Sequence, residues 1–224
     1  MKFFHISDLH IGKKLREMDI TKDQKHILNE IIELADKKKP DVFLIAGDIY
    51  DRSVPAANAI NLFNDFITEL ESRNIKVFII SGNHDSPERI QFANKILEKN
   101  DIHIAGTFEG KLECVELEDE LGPINIYMLP FIKPSIVANF FEDKIIDSYE
   151  KAARLVIDQE DIDSKQRNVL LAHQFVTNNG QEPEQSESES IRVGGLDKID
   201  VSIFDKFDYV ALGHIHRPQK VGRD

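Results

Sequence analysis

The segment DVFLIAGDIYD (41–51) decides the fold class of this chain. After Asp41 the run is continuously apolar up to Gly47, which is typical of a strand buried on both faces of a sheet. Asp48 and Asp51 follow where the strand ends and the chain turns. Because such a strand needs other elements packed above and below it, the segment predicts a layered α/β protein.

The same pattern occurs on both sides of this strand. KFFHIS (2–7) and KVFIISG (76–82) predict two more buried strands, and apolar residues at helical spacing lie between the three. Capping residues and prolines predict where the helices begin. The predicted helices run from Thr21, in a capping box with Gln24, to the lysine-rich segment 37–40; from Ser53 and Pro55 to about Arg73; and onward from Ser86 and Pro87.

Beyond Ile102 the pattern changes to strands in a row, which indicates a second sheet. The sequence shows no internal repeat and no clear linker, so we expect one domain with two packed sheets and flanking helices. The predicted elements are strands near 102–105, 111–117, 124–129, 168–173 and 207–213, and a helix near 142–158.

The composition is typical of a soluble globular protein. Of the 224 residues, 41% are hydrophobic and 30% are charged. No apolar run approaches the roughly 18 residues that a membrane helix needs, and Asp8 and His10 interrupt the N-terminal segment too early for a signal peptide. A single cysteine, Cys114, cannot form an internal disulfide, so a reducing cytoplasmic location is predicted.

The net charge of −12, taken alone, argues against a nucleic-acid-binding protein, which usually carries a basic face. However, carboxylates gathered around divalent cations are neutralised by the metal. Part of the negative charge also lies in QEPEQSESES (181–190), which has four glutamates and no basic residue and is predicted to be a mobile loop.

Five buried strands end in residues of the types that bind metal ions. In an open α/β sheet the loops at the carboxyl ends of the strands share one edge, so these residues can converge. The five motifs are SDLH with Asp8 and His10, GDIYD with Asp48 and Asp51, GNHD with Asn83, His84 and Asp85, AHQ with His173, and GHIH with His214 and His216.

Each motif has an ordinary explanation when it is taken alone. An Asp-X-His sequence is more often a capped loop than a metal site, and a histidine at a strand end is often satisfied within the core. However, five of the eight histidines follow apolar strands, and Gly, Asp or Asn accompanies each. Explaining this without a shared site needs five coincidences at equivalent positions, so the sequence predicts a metal centre.

The donor set limits which metal and how many ions can bind. It combines carboxylates, imidazoles and one carboxamide with no thiolate, which suits ions such as Mn²⁺, Fe²⁺ or Zn²⁺ rather than a structural cysteine zinc site. The candidate ligands in the five motifs are too many for one ion and suit two ions that share a carboxylate. Two ions about 3.5–4 Å apart can clamp a phosphoryl oxygen for in-line displacement.

In this order along the chain, the five motifs resemble those of the calcineurin-like metallophosphoesterase superfamily. SDLHIGK (7–13) and the stretch from AHQFV (172–176) to GHIHRPQ (213–219) are similar to its SbcD branch. That branch comprises bacterial exonucleases, the counterparts of the double-strand-break-repair nuclease. The resemblance implies an α/β/β/α sandwich of two mixed sheets flanked by helices.

The resemblance also implies a role for each site residue. His84 is the catalytic histidine, placed to stabilise the transition state or to protonate the leaving oxygen. Asp51 orients His84, although a plain loop-capping role is the alternative for Asp51. The implied ligands are Asp8, His10 and His216 for one ion, Asn83, His173 and His214 for the other, and Asp48 as the bridge.

The activity and partners implied by the resemblance are those of a DNA repair, recombination and replication nuclease. It would act as an exonuclease on double-stranded ends and an endonuclease on single strands and hairpins, with Mn²⁺ favoured over Mg²⁺, Fe²⁺ or Zn²⁺, beside the coiled-coil ATPase SbcC. Family members continue with a DNA-capping domain and an SbcC-binding segment. Residues 1–224 are therefore expected to be a nuclease domain that lacks both regions.

The sequence offers weaker indications of DNA contact and of assembly. Lys13, Lys14, Arg16 and Arg217 flank the first and last motifs and are either phosphate contacts or solvated surface residues. The apolar faces of the helices near 55–73 and 87–99 are wider than one sheet contact requires, which predicts either a homodimer or a deeper core. On helix two, Ile60, Phe63, Ile67 and Leu70 form the stripe and Leu62 and Phe66 widen it.

Two other functions compete with the nuclease. One is a phosphatase or phosphodiesterase that uses the same metal cage on a small substrate. The other is a non-catalytic scaffold that holds DNA ends. Complete ligands and an intact His84 argue against the scaffold.

Overall fold

The computed structural model describes residues 1–184 and 197–222. Two four-stranded sheets pack face to face, and helices cover the outer face of each sheet. The layered α/β/β/α sandwich expected from the sequence is therefore confirmed. Within the described ranges, no helix is both long enough and apolar enough to span a membrane.

The secondary structure alternates strands and helices in the first half and is richer in strands in the second. Two 3₁₀ turns, Glu98–Asn100 and Val201–Phe204, complete the regular elements. The strands are β1 Phe3–Ile6, β2 Lys14–Leu15, β3 Met18–Asp19, β4 Val42–Ala46, β5 Lys76–Ile80, β6 Ile102–Ala105, β7 Glu113–Asp119, β8 Gly122–Leu129, β9 Arg167–Ala172, β10 Phe175–Thr177, β11 Lys198–Asp200 and β12 Tyr209–Leu212. The helices are α1 Thr21–Lys38, α2 Ala57–Glu71, α3 Pro87–Ile90, α4 Asn94–Leu97, α5 Pro134–Ala138 and α6 Tyr149–Asp158.

The first sheet has the order β1-β4-β5-β6, and all its strands are parallel. Its register aligns the carboxyl ends of the strands, since Ile6 pairs with Ile45 and Ala46 pairs with Ile80. Because the ends are level, the loops after β1, β4 and β5 leave the sheet side by side. The sequence predicted two mixed sheets, and this sheet differs because each of its connections crosses over and returns in the same direction.

The second sheet has the order β12-β9-β8-β7 and is mixed. Strands β7 and β8 form an antiparallel hairpin, while β8 with β9 and β9 with β12 are parallel. Leu129, Ala172 and Leu212 lie level with one another at the carboxyl ends of β8, β9 and β12. The ends of β9 and β12 carry the two histidine motifs of the second half.

The buried strand β4 explains the continuous apolar run of 42–46. Val42, Leu44 and Ala46 belong to the core between the two sheets, whereas Phe43 and Ile45 belong to the core between the first sheet and its helices. All five side chains are buried. Alternate residues of a strand point to opposite faces, so a strand covered on both faces needs apolar residues at every position.

Helices α1 and α2 cover the first sheet, and α5 and α6 cover the second. On the first sheet the packing residues include Leu28, Ile32 and Phe66. On the second they include Val137 and Val156. The sheet-to-sheet core includes residues from both sheets, among them Leu44, Phe78, Ile80, Ile126, Met128 and Leu171.

The predicted helix boundaries are partly wrong. Thr21 begins α1, but it does not form a capping box: its backbone N–H and its hydroxyl both donate to Asp19 Oδ1. Helix α2 begins at Ala57 rather than at Ser53. The third helix does begin after Ser86, but Ala93 adopts a left-handed conformation (φ 63°) and divides the segment into α3 and α4.

Several elements were not predicted. These are the β2–β3 hairpin, the short parallel pair of β10 and β11, and helix α5. The helix predicted near 142–158 begins only at Tyr149. Of the acidic segment 181–190, residues 185–190 lie outside the described residues, so its predicted mobility stays a prediction.

Candidate metal centre

The five ligand-bearing loops meet at one place, where the carboxyl ends of both sheets lie against each other. The loops follow β1, β4 and β5 of the first sheet and β9 and β12 of the second. A buried contact joins the two sheets there, because His173 Nδ1 lies 2.7 Å from the carbonyl oxygen of Ala46. A carbonyl oxygen only accepts, so Nδ1 carries the hydrogen and Nε2 faces the cluster.

Asp48 lies at the centre of the cluster. Its Oδ2 atom lies 3.3 Å from His173 Nε2, 3.7 Å from His10 Nε2 and 4.0 Å from His84 Nε2. Its other oxygen, Oδ1, accepts a hydrogen bond of 2.8 Å from the backbone N–H of His84. One carboxylate thus faces imidazoles from three different loops, as the predicted bridging role requires.

Asp8, His10 and His216 lie on one side of Asp48. The Nε2 atoms of His10 and His216 are 3.0 Å apart, and His216 Nε2 is 3.6 Å from Asp8 Oδ1. Asp8 also accepts a hydrogen bond from the backbone N–H of His214 at 3.0 Å, which joins the first motif to the last.

Asn83, His173 and His214 lie on the other side. Asn83 Oδ1 is 3.2 Å from His173 Nε2 and 2.7 Å from His214 Nδ1. Phe131 stacks against the His214 ring at a centroid distance of 6.4 Å, and Phe175 meets the same ring edge-on at 5.9 Å. The structure therefore brings all seven predicted ligands into one cluster, in two groups that correspond to those implied by the family resemblance, and aromatic rings line one side.

The backbone of the cluster is strained at four of the seven predicted ligands. Asp8, His10, Asp48 and His214 have φ values of 55°, 43°, 49° and 83°, in the left-handed region. Side chains with a Cβ adopt this region at a cost of about 1–3 kcal/mol each, and they keep it only where the surroundings enforce it. Strain of this kind concentrates at functional sites, which supports a common role for these residues.

Close packing explains why glycines precede the site residues. A Cβ on Gly82 would lie 2.1 Å from Asp48 Oδ1, and one on Gly213 would lie 2.0 Å from the carbonyl oxygen of Ala46. Both distances are far below contact distance, and neither neighbour can move without displacing the site. The glycines in the third and fifth motifs are thus required by the approach of the loops to one another.

Burial and charge set the protonation of the central residues. Burial alone would lower the pKa of His173, but its hydrogen bond to Asp48 and the Asp48 charge outweigh burial and raise that pKa to about 9. Burial alone would raise the pKa of Asp48, but His173 reverses this effect and the net shift is downward. Burial lowers the pKa of His10 to about 4, so His10 is neutral at pH 7.

These residues fit divalent metal ions. The Nε2 atoms of His10 and His216 lie 3.0 Å apart, close enough for both nitrogens to bind one ion. Among the described residues, the buried Nδ1 atom of His10 has no hydrogen-bond partner, and Asp48 and Asp8 add negative charge beside the Nε2 atoms of His10 and His216. Imidazole nitrogens and carboxylates that converge in this way form the donor set of a metal centre.

His84 differs from the ligands in its exposure. Its side chain is 43% exposed, whereas those of His10 and Asp48 are 6% and 2% exposed. Its Nδ1 lies 3.1 Å from the main-chain carbonyl oxygen of Asp51. Asp51 therefore holds His84 through its backbone, and its carboxylate lies instead 3.9 Å from His10 Nδ1 and 3.6 Å from Arg52 Nε.

Asp85 is a site residue whose role the sequence did not indicate. Its buried carboxylate accepts backbone hydrogen bonds from Ile49 (3.1 Å), Tyr50 (2.9 Å) and Gly82 (2.9 Å). These bonds tie the loop that carries Asp48 to the loop that carries His84. The position of Asp85 in GNHD was the available signal, but nothing local to the motif identifies partners 35 residues away.

Comparisons with known proteins agree with this geometry. A family model described as "Calcineurin-like phosphoesterase" matches residues 1–218, a range that contains all five motifs. The chain is 36% identical over 221 residues to the D subunit of the nuclease SbcCD from Staphylococcus epidermidis. The match covers 97% of this chain and 57% of the relative, so the chain spans little more than half of that protein's length. Among solved structures, a dimetal phosphatase from Danio rerio matches at 10% identity and a TM-score of 0.44, covering 77% of this chain and 69% of that one.

The protonation of His173 predicts a pH dependence of metal binding. With a pKa of about 9 in the metal-free protein, Nε2 carries a proton at neutral pH, and this proton must leave before the nitrogen can bind an ion. We expect the Mn²⁺ affinity of this site to rise about tenfold per pH unit between about pH 7 and 9 and to level off above that range. His10 adds little to the slope, because its pKa of about 4 lies below the range.

Calorimetric titration of the metal-free protein at several pH values, in buffers of different ionisation enthalpy, measures both affinity and proton release. A variant at the exposed His26, His26→Ala, serves as the control and should show the wild-type slope. Affinity that does not change between pH 7 and 8.5 would contradict the protonation state assigned to His173.

Proposed function

The chain belongs to the calcineurin-like phosphoesterase family, and on this premise we propose that it is a metal-dependent DNA nuclease that uses two divalent ions. One observation carries the proposal: a single oxygen of Asp48 lies within 4.0 Å of imidazole nitrogens from three separate loops. The 36% identity to a protein named as part of a nuclease supports a nucleic acid as the substrate, and the resemblance of the motifs to the SbcD branch favours DNA.

The proposed ligands form the two groups that lie on either side of Asp48 in the cluster. Asp8, His10 and His216 hold one ion, Asn83, His173 and His214 hold the other, and Asp48 serves both. When bound, the two ions supply Lewis-acid stabilisation of the phosphoryl oxygens and lower the pKa of the attacking water. Mn²⁺ is the proposed ion because the family resemblance favours it, and the hard to borderline donor set without a thiolate is compatible with it.

His84 is proposed to act on the scissile phosphate. Because the Asp51 carbonyl only accepts, Nδ1 of His84 donates to it, and this bond fixes the orientation of the ring. The Nε2 atom is left on the exposed side of the cluster, 4.0 Å from Asp48 Oδ2. A protonated Nε2 there can donate to a non-bridging phosphate oxygen or to the leaving oxygen.

The proposed DNA contacts lie beside the first and last motifs. Lys14 and Arg16 lie exposed on the β2–β3 hairpin. Arg217, next to His216, forms an ion pair of 2.8 Å with Glu184, the last described residue of the acidic segment before its gap. A DNA phosphate that binds Arg217 therefore competes with the carboxylate of Glu184 for this guanidinium.

We propose two protein partners. The relative's name describes one component of a nuclease, and a coiled-coil ATPase of the SbcC type is the proposed second component for DNA repair and recombination. A second copy of this chain is the other partner. Leu62 and Phe66, which the sequence offered as a partner surface, are instead buried against the first sheet. The argument for a homodimer now rests on Phe92 and Ile96, which are 80% and 66% exposed.

Nuclease activity tests the proposed function directly. We expect the protein to cleave labelled linear and hairpin DNA with Mn²⁺, and His84→Gln to lower the rate by about 10²-fold or more while both ions still bind. His26→Ala, which changes an exposed histidine on α1, should retain full activity.

Other outcomes would point to the competing functions. Rapid hydrolysis of a small phosphate ester by a wild-type protein that leaves DNA intact would indicate a small-substrate phosphatase. Mn²⁺ binding without cleavage of either substrate, in the presence of the ATPase partner as well, would indicate a scaffold.

The Glu184–Arg217 pair gives a prediction for substrate binding. Glu184→Gln should lower the KM for linear DNA about two- to fivefold, because an exposed ion pair is worth up to about 1 kcal/mol. Glu182→Gln removes the same charge from the same segment but affects a carboxylate that pairs with Lys198, so it should leave KM nearly unchanged. In an Arg217→Gln background, Glu184→Gln should have no effect; an equal gain there would contradict the pairing.

Sedimentation tests the homodimer. The wild type should sediment as a dimer at tens of micromolar, and Phe92→Asp combined with Ile96→Asp should sediment as a monomer, because burying a carboxylate at an interface is costly. Leu121→Asp is the control, since Leu121 is 83% exposed and lies in the β7–β8 turn of the second sheet. A wild type that is monomeric throughout would rule out this interface.

A further inference from the structure

The side chain of Gln24 fastens helix α1 to the loop that carries Asp8 and His10. Its Oε1 atom accepts from the backbone N–H of Gly12 at 3.0 Å, and its Nε2 atom donates to the carbonyl oxygen of His10 at 2.8 Å. We propose that Gln24 is a positioning residue for the metal site of Asp8, His10 and His216, an inference that rests on the two-ion site of the proposed function.

This loop needs an external restraint because every second residue in it has a positive φ, which is unfavourable for residues other than glycine. Asp8, His10 and Gly12 have φ values of 55°, 43° and 90°. The left-handed region is unfavourable for aspartate and histidine, so the loop relaxes unless its surroundings hold it. A relaxed loop would move Asp8 and His10 away from His216.

The loop is held on one side by the neighbouring loop of the same sheet. The N–H groups of Asp8, His10 and Ile11 donate to the carbonyls of residues 47, 48 and 49 at 2.9–3.0 Å. These three N–H groups point toward the loop that follows β4. The N–H of Gly12 and the carbonyl of His10 face α1 instead, and Gln24 bonds to both.

Helix α1 gives Gln24 a rigid base. Leu28, four residues later on the same face of the helix, is buried in the core between α1 and the first sheet, together with Ile32 and Ala35. A carboxamide offers one donor and one acceptor group in a fixed geometry without charge, which matches one carbonyl and one N–H. Outer contacts of this kind set the orientation of metal ligands, and their loss commonly lowers metal affinity about 10–100-fold.

Mn²⁺ titration of the full chain tests this role without measuring catalysis. Gln24→Met keeps the length of the side chain and removes its hydrogen bonds to Gly12 and His10, together with a longer one of 3.4 Å to the carbonyl oxygen of Leu9. We expect it to weaken one of the two Mn²⁺ sites by about 10-fold or more, to leave the other unchanged, and to reduce the exchange-coupled two-ion signal in the electron paramagnetic resonance spectrum.

Gln91→Met is the matched control. Gln91 Oε1 also accepts from backbone N–H groups, but these belong to Gly106 and Thr107, which follow β6 and are not proposed ligands. Gln91→Met should lower the thermal unfolding temperature while both ions bind with wild-type affinity. If Gln24→Met binds two ions like the wild type, or weakens both sites equally, Gln24 has no selective positioning role.

Double variants locate the effect and separate it from the proposed function. Gln24→Met should add nothing to His216→Ala, which removes the same site, but should retain its effect in His214→Ala, which alters the other. A wild type that binds two ions and cleaves no DNA would overturn the nuclease and leave the role of Gln24 standing. A wild type that binds fewer than two ions would overturn both.

Discussion

The hydrogen bond from His173 to the carbonyl oxygen of Ala46 is the interaction on which the rest of the site depends. It joins the end of β9 in one sheet to the end of β4 in the other, inside a region closed to solvent. Because Nδ1 donates to this carbonyl, Nε2 is the nitrogen that points at Asp48. Sheet packing, side-chain tautomer and ligand direction are therefore set by one contact.

The site is held together by backbone bonds more than by side-chain pairs. Asp85 ties the second motif to the third through three N–H groups, and Asp8 accepts from the N–H of His214 in the fifth. These bonds maintain the left-handed conformations at Asp48 and His214. A metal centre assembled in this way is preorganised, because its ligands need little rearrangement when an ion arrives.

The sequence predicted the parts of the molecule that depend on local pattern. The apolar run of β4 demanded cover on both faces, and the polar residues after each buried strand had to meet once the strand ends were level. The parts that it missed depend on competition between partners. Gln24 fits a capping box with Thr21 in the sequence. In the structure, however, Thr21 donates to Asp19, and Gln24 bonds to the loop at His10. Asp51 holds His84 through a carbonyl group that every residue possesses, so its side chain carried no information about that contact.

The order of the motifs along the chain has a consequence for biosynthesis. The first sheet collects its strands from residues 3–105, but the second sheet is completed only by β12, and His214 and His216 follow that strand. A chain still on the ribosome can fold its first layer early, since structure forms from the N-terminus onward during synthesis. It cannot assemble both halves of the metal cluster until its last motif has emerged. A phosphoesterase built in this order would stay inactive near the ribosome until its fifth motif had been translated.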